Sequence, residues 1–234
     1  MTEHSARPLV VAPTKRELGG LRPGPSKAID AAVVGIGHAA GPALQRLMVQ
    51  RWPAIVLSLG FGGGLEPMAG TADIVLCTSV HTVDGRYIDL GTEALALVLR
   101  QAGIEPALDT LLTVNHPLLR RSDKWQARAD SGAAVVDMEG FALAEVARDA
   151  SVPFLAVRVI LDEFHEEVPR FVGTIVEDGG NGEWSHSIAA LARNPLLFRS
   201  MLRLAGQARA ARSAMRKIVD ATVPTLMQSP EATA

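Results

Sequence analysis

Three acids stand where the sequence changes character. Asp137 and Glu139 flank a methionine in VVDMEGFA (135–142), where an apolar run gives way to a helical one, and Asp162 closes the next apolar run, FLAVRVILD (154–162). Helix chemistry alone would account for the first pair. An Asp at the N-cap accepts backbone N–H bonds, and a Glu in the first turn faces the positive end of the helix dipole. Their placement predicts more. Residues 133–162 read as a strand, a helix from about Glu139, the turn DASVP and a second strand over 154–161. A crossover of that kind makes the two strands parallel and returns the chain to the same end of the sheet. Glu139 and Asp162 then share the rim where open α/β sheets bind ligands. Glu17 lies a few residues beyond PLVVA (8–12), on the same rim if that strand is parallel to the others. Three acids in a partly apolar crevice suit cleavage of a glycosidic bond through an oxocarbenium-like transition state. One protonates the leaving group, one holds the sugar hydroxyls and one orients the attacking water. Burial would keep the proton donor protonated near neutral pH.

The elements that must position these acids are short apolar runs bounded by Gly or Pro: 8–12, 31–37, 54–60, 72–78, 110–114, 133–137 and 154–161. Several are apolar throughout, as strands covered on both faces require. Helical segments intervene at 40–51, 93–102, 139–149 and 185–218. This alternation predicts an α/β fold, a three-layer α-β-α sandwich with a central mixed, mostly parallel sheet, formed by one domain over 1–234. The tail after Pro224 is expected to fray.

Two glycine clusters follow strands. Gly35, Gly37 and Gly41 in VVGIGHAAG resemble a dinucleotide-binding turn, but the next strand, AIVLSLGFGGGL, ends in glycines and offers no acid for the ribose hydroxyls. A nicotinamide cofactor is therefore not expected. Gly60, Gly62, Gly63 and Gly64 would let backbone N–H groups approach a ligand closely, or would simply form a tight turn.

Composition narrows the classes. With 48% hydrophobic and 21% charged residues the chain lies outside the disordered range, and a net charge of −2 argues against general nucleic-acid binding. The lone Cys77 excludes an internal disulfide and fits a reducing compartment. No apolar stretch approaches the length of a membrane span and the N-terminus carries no apolar secretory core, so a cytoplasmic protein is expected. His81, His116, His165 and His186 show no metal-ligand spacing, and no metal site is expected.

At this point VVDMEGFALAEVARDASVPFLAVRVILDEF resembles the signature of the nucleoside phosphorylase and nucleosidase family, which includes methylthioadenosine/S-adenosylhomocysteine nucleosidases. LGFGGGLEPMAGTADIVL is similar to that family's Gly-rich turn and following strand, and VVGIGHAAG to its other glycine loop. Asp137, the compact length and NPLLFRSMLRLAGQARAARSAMRKI look like the hopanoid-associated branch, thought to remove adenine from adenosylhopane. The resemblance implies that Asp162 donates a proton to N7 of the purine, that Glu139 binds the ribose hydroxyls and that Glu17 orients the water. It implies substrate contacts at Met138, Gly60, Phe61, Gly62, Asp137 and Phe164, and phosphate or water contacts at Gly35, Gly37 and His38. It implies no cofactor, with phosphate a co-substrate only if the bond is broken by phosphorolysis, and a homo-oligomer. Two departures stand out: Leu161 precedes the proton-donating Asp where Ser is common, and Phe61 replaces a frequent hydroxyl residue. Both keep open a rival of another class, a catalytically weak nucleoside-binding or regulatory protein on the same scaffold. Hydrolysis is favoured over phosphorolysis because Leu59 and His38 stand where an anion site would want Arg, although Arg16 or another subunit could supply charge.

Between Trp184 and Val219 there is no acid, while Arg193, Arg199, Arg203, Arg209, Arg212, Arg216 and Lys217 accumulate. Leu197, Met201, Leu204, Ala208, Ala211, Met215 and Ile218 recur at helical spacing. A helix packed on the sheet with a solvated basic face is expected, the alternative being peripheral contact with anionic lipid. The preceding FHEEVPRFVGTIVEDGGNGEW reads as a loop over the crevice, with Phe164 and Phe171 as pocket-lining candidates or loop anchors.

Overall fold

Strands that are apolar on both faces need cover on both, and they have it. The computed structural model describes residues 7–25, 29–169 and 195–228. One sheet contains β1 (Leu9–Ala12), β2 (Asp30–Val33), β3 (Val56–Gly64), β4 (Ile74–Thr82), β5 (Tyr87–Asp89), β6 (Ala107–Thr113), β7 (Val135–Asp137) and β8 (Phe154–Asp162). The helices are α1 (Ala40–Gln50), α2 (Glu93–Gln101), α3 (Arg121–Ser131), α4 (Gly140–Asp149) and α5 (Pro195–Gln228). Successive strand residues point to opposite faces. Val11, Val56 and Ile160 accordingly pack with Leu44 and Met48 of α1 and Phe141 and Leu143 of α4. Val10, Leu57, Leu59, Val157 and Val159 pack on the other side with Leu95 and Leu99 of α2 and Met215 and Ile218 of α5. This is the expected helix–sheet–helix layering around a central mixed sheet.

The direction of the strands corrects one expectation. β2, β1, β3 and β8 run parallel, as do β4, β6 and β7, and the two groups meet in antiparallel pairs at β3–β7 and β4–β8. The pairings β3–β7–β6–β4–β8–β3 close a ring. β7 and β8 therefore run in opposite senses, not parallel as the strand–helix–strand pattern predicts. That pattern assumes an open sheet; here closure puts β7 and β8 on opposite flanks of β3. They still deliver their acids to one place, because Gly63 of β3 is paired with Val136 on one side and Asp162 on the other.

The second glycine cluster is corrected too. Gly60, Gly62, Gly63 and Gly64 form the end of β3, not a loop after it. Their lack of side chains makes room for neighbours: a Cβ at Gly62 would lie 2.4 Å from Cγ2 of Val135 and 3.0 Å from the Val136 carbonyl oxygen.

Two elements lacked strong periodic signals. β5 is the return arm of a hairpin turning at Asp84 and Gly85, the latter at φ 85°. The Asp-Gly pair between alternating runs is a hairpin signal that was available. α3 is polar almost throughout and ends on Gly132 in the left-handed region at φ 68°. At the other end, α5 continues through Pro224 to Gln228, held by the buried Ile218, Val219 and Leu226, so the tail expected to fray is helical over 225–228; residues 229–234 lie outside the described residues. The expected start of this helix at 185 and the loop candidate Phe171 lie outside the described residues.

Candidate active site

The end of β3 organises the site. Glu17 sits in a short 3-10 turn (Lys15–Glu17) just past β1, and both its carboxylate oxygens are engaged. Phe61 N–H donates to Oε1 at 3.0 Å, and the Thr14 hydroxyl donates to Oε2 at 2.5 Å. Glu139 is the residue that precedes α4, but it does not cap the helix. Its Oε1 accepts the N–H of Gly37 at 2.7 Å, from the 3-10 turn that follows β2. Gly37 adopts φ 64°, a conformation that favours glycine, and a Cβ there would meet Met138 Cε at 3.7 Å. Both acids are buried, at 7% and 5% exposure.

Asp137 takes over the cap that its sequence position suggests, and more. Its Oδ2 accepts from the N–H of Gly140 at 2.9 Å and from Nε and Nη2 of Arg158 at 2.9 and 2.7 Å. Its Oδ1 accepts from the Thr113 hydroxyl at 2.8 Å. Side chains of Asp137 and Arg158 are 1% and 0% exposed. Asp137, expected among the substrate contacts, is thus placed in an internal ion pair beneath the site. Arg158 also donates to the Ser58 carbonyl at 3.2 Å and to the Ser58 hydroxyl at 3.1 Å. The absence of a side chain at Gly60 lets the guanidinium pass, since a Cβ there would lie 3.3 Å from its carbon.

Asp162 ends β8 just past a bulge opposite Gly62 and Gly63, which turns its carboxylate to the face away from Arg158, 3.3 Å from a Cβ placed on Gly63. Its Oδ2 accepts from Lys124 Nζ of α3 at 2.5 Å, and the same ammonium donates to the Glu163 carbonyl at 2.6 Å. Lys124 is fully buried, whereas the Asp162 side chain keeps 17% exposure.

Desolvation dominates the electrostatics. Burial pushes the Glu139 carboxyl up to about 8, helped by the nearby Asp137 charge and opposed by the Gly37 N–H and Arg158. Glu17 is raised by burial against the lowering effect of Phe61 N–H, Thr14 and Arg158. Asp162 is raised by burial against the pull of Lys124. Burial thus biases these carboxyls toward the neutral form; for Asp162 that is the condition for donating a proton, while Glu17, which accepts from Phe61 N–H and Thr14 and feels Arg158, has the partners that favour a charged, proton-accepting form.

Other expected site residues fall elsewhere. The Phe61 ring packs with the core on the α2 and α5 side, as does Leu161, so Phe61 contributes its N–H rather than its ring. Phe164 is buried with its ring edge-on to His165 at 4.9 Å. His38 and Arg16 are exposed, Gly35 lies just after β2 at φ 85°, and Gly41 is inside α1. Sequence reasoning left out Arg158 and Lys124. A charged residue inside FLAVRVIL had to find a buried partner, so Arg158 carried a signal. Lys124, in a polar helix, carried none. A shallow cavity lined by Arg7, Leu9, Asp30, Leu47 and Arg51 lies at the opposite end of β1 and contains none of these acids. Among the described residues no group of His, Cys, Asp and Glu could hold a metal ion.

Comparison with known proteins agrees with this architecture. Residues 27–186 match the model of the phosphorylase superfamily. No curated protein matches the sequence. Among solved structures, the Campylobacter jejuni 5'-methylthioadenosine/S-adenosylhomocysteine nucleosidase superposes with a TM-score of 0.63 at 13% identity, over 92% of this chain and 98% of that one. Futalosine hydrolase of Helicobacter pylori gives 0.63 at 15% identity, over 92% and 98%. The Helicobacter pylori 5'-methylthioadenosine/S-adenosylhomocysteine nucleosidase with butyl-thio-DADMe-Immucillin-A gives 0.63 at 16%, over 92% and 97%. At these identities the likeness is one of fold. The family match spans more than half of the sequence, and the chain belongs to the phosphorylase superfamily.

Proposed function

We propose that the protein is an enzyme that hydrolyses the N-glycosidic bond of an adenine-type purine nucleoside. The supporting observation is that Glu17 and Asp162 meet the glycine end of β3, at Phe61 N–H and beside Gly63, with Glu139 near enough to Glu17 for the two charges to repel. Phe61, whose N–H holds Glu17, and Gly63, beside Asp162, are two residues apart, ~7 Å along a strand, the scale of a nucleoside. Asp162 delivers a proton to N7 of the base as the C1′–N9 bond breaks. Glu139, with Oε1 occupied by Gly37 N–H, offers Oε2 to the ribose hydroxyls. Glu17 orients the water that adds to C1′ and takes up its proton. Met138, beside Gly37, packs against the sugar.

Hydrolysis is preferred to phosphorolysis on charge. Among the described residues, Arg158 and Lys124 are the cations bonded within this cluster, and each is already committed to a carboxylate. A phosphate dianion would meet Glu17 and Glu139 with little to neutralise it. The sequence resemblance to the hopanoid-associated branch makes adenosylhopane, cleaved in hopanoid biosynthesis with release of adenine, the specific candidate. A cytoplasmic homo-oligomer belongs to the same proposal. So does peripheral contact with anionic lipid through the exposed Arg209, Arg212, Arg216 and Lys217 of α5. Among the described residues no helix is long and apolar enough to cross a membrane.

The test is release of free adenine from methylthioadenosine, adenosine and adenosylhopane, each with and without phosphate. Release that does not depend on phosphate is expected. No release from any of the three, with tight adenosine binding by calorimetry, would replace the enzyme with a nucleoside-binding protein.

A further inference from the structure

Lys124 has no part in the roles assigned above, yet it is buried without exposure in a helix whose other residues are exposed or half-buried. A lysine is seldom placed so unless its ammonium is paired and bonded. Here Nζ spans two acceptors in succession along the chain, Oδ2 of Asp162 at 2.5 Å and the carbonyl oxygen of Glu163 at 2.6 Å. Two fixed acceptors set the ammonium's position, and the ammonium in turn fixes the rotation of the carboxyl group. Leu161, the residue before Asp162, turns into the α5-side core and cannot help to orient it.

We propose that Lys124 is the positioning residue of the proton donor: by occupying Oδ2 of Asp162 it confines the transferable proton to Oδ1, the oxygen left to face the base. This deepens the nucleosidase reading and rests on it. The chemistry comes from donor counting. An ammonium has three N–H bonds and no lone pair, so it can only donate. A proton on Oδ2 would point at the ammonium and is disfavoured, which leaves Oδ1 to carry it. As the C1′–N9 bond breaks, the Oδ1 proton passes to N7, Asp162 becomes a carboxylate, and Lys124 faces a full negative charge at the moment it forms. The ammonium therefore binds the product state of the proton transfer more strongly than the starting state, which is the direction that lowers a barrier.

The experiment compares wild type with Lys124→Met, which removes the cation and keeps an unbranched side chain of similar length. The expected result is a loss in kcat for adenine release of roughly 100-fold or more, with KM within roughly threefold, because the lost interaction is made in proton transfer rather than in binding. The alkaline limb of kcat moves up by roughly one pH unit or more, since the charge that favoured ionised Asp162 is gone. A K124M protein with wild-type kcat, or with lower thermal stability and an unmoved limb, overturns the proposal. Because loss of a buried partner can prevent folding, the wild type is also crystallised and soaked with adenine. N7 within hydrogen-bond distance of Oδ1, with Nζ still on Oδ2, is expected; Nζ turned away, or bonded to the base itself, overturns it. Wild type that releases no adenine removes the nucleosidase reading and this inference together, whereas active wild type with equally active K124M removes this inference alone.

Discussion

Glu139 is opposed in its charged form from two directions, by burial and by Asp137, and its carboxyl is pushed up to about 8. Linkage sets the sign of the consequence for stability. The folded protein holds this proton more tightly than the unfolded chain, so the contribution is fully present below the ordinary value near 4.5 and is lost as pH rises through about 8. Glu139→Gln keeps an acceptor for Gly37 N–H and does not titrate. Thermal unfolding of E139Q and wild type at pH 5 and pH 9 should therefore show a difference that moves in favour of the variant at the higher pH; a difference that stays flat would mean the carboxyl is not held protonated. The types and spacing of these acids were readable in VVDMEGFA and ILD. What each touches was not. Asp137 and Glu139 are two positions apart, yet one is spent on Arg158 and the other on Gly37, because only the fold decides which buried donors lie within reach.

At the scale of elements, the glycine-rich end of β3 is where sequence and structure part most. A run of glycines after a strand reads as a turn, since glycine weakens strands; here it continues the strand because Val135, Val136 and Arg158 fill the space that side chains would take. Gly62→Ala should cost about 1–3 kcal/mol in urea unfolding, given its clash with Val135 and Val136. Gly206→Ala, where an added Cβ meets nothing within 4 Å in α5, should instead stabilise by about 0.5–1 kcal/mol. Equal effects at the two positions would mean that glycine flexibility, not close packing, is what β3 uses. The strand–helix–strand pattern over 133–162 predicted the elements but not their relative direction, which depends on long-range pairing of β7 with β6 and β3. α3 was not legible because burial of one lysine leaves no apolar stripe.

The whole molecule was the most legible scale, since doubly apolar strands alternating with amphipathic helices admit few arrangements. α5 illustrates both sides of this. Its apolar stripe at 211, 215 and 218 was visible as periodicity, and the structure spends it on the sheet: Ala211, Met215 and Ile218 are fully buried. Met215→Ala should accordingly lower stability by about 2–5 kcal/mol. Sedimentation with anionic vesicles is the complementary measurement. If the stripe served lipid instead, M215A would weaken vesicle binding and leave unfolding unchanged. The layering also explains why the acids meet at all. β1, β8 and β3 run parallel, so the turn carrying Glu17 just past β1 and the Asp162 that ends β8 lie at the same end as the glycines of β3.

That convergence is tested most directly by the rate of adenine release from methylthioadenosine by wild type and by Asp162→Asn, in phosphate-free buffer near neutral pH. A general acid contributes ~10²–10⁴-fold. The account predicts steady release by the wild type and a fall of that order in the variant, with its fold intact by circular dichroism. Equal rates in the two proteins, or no release by either, would contradict it.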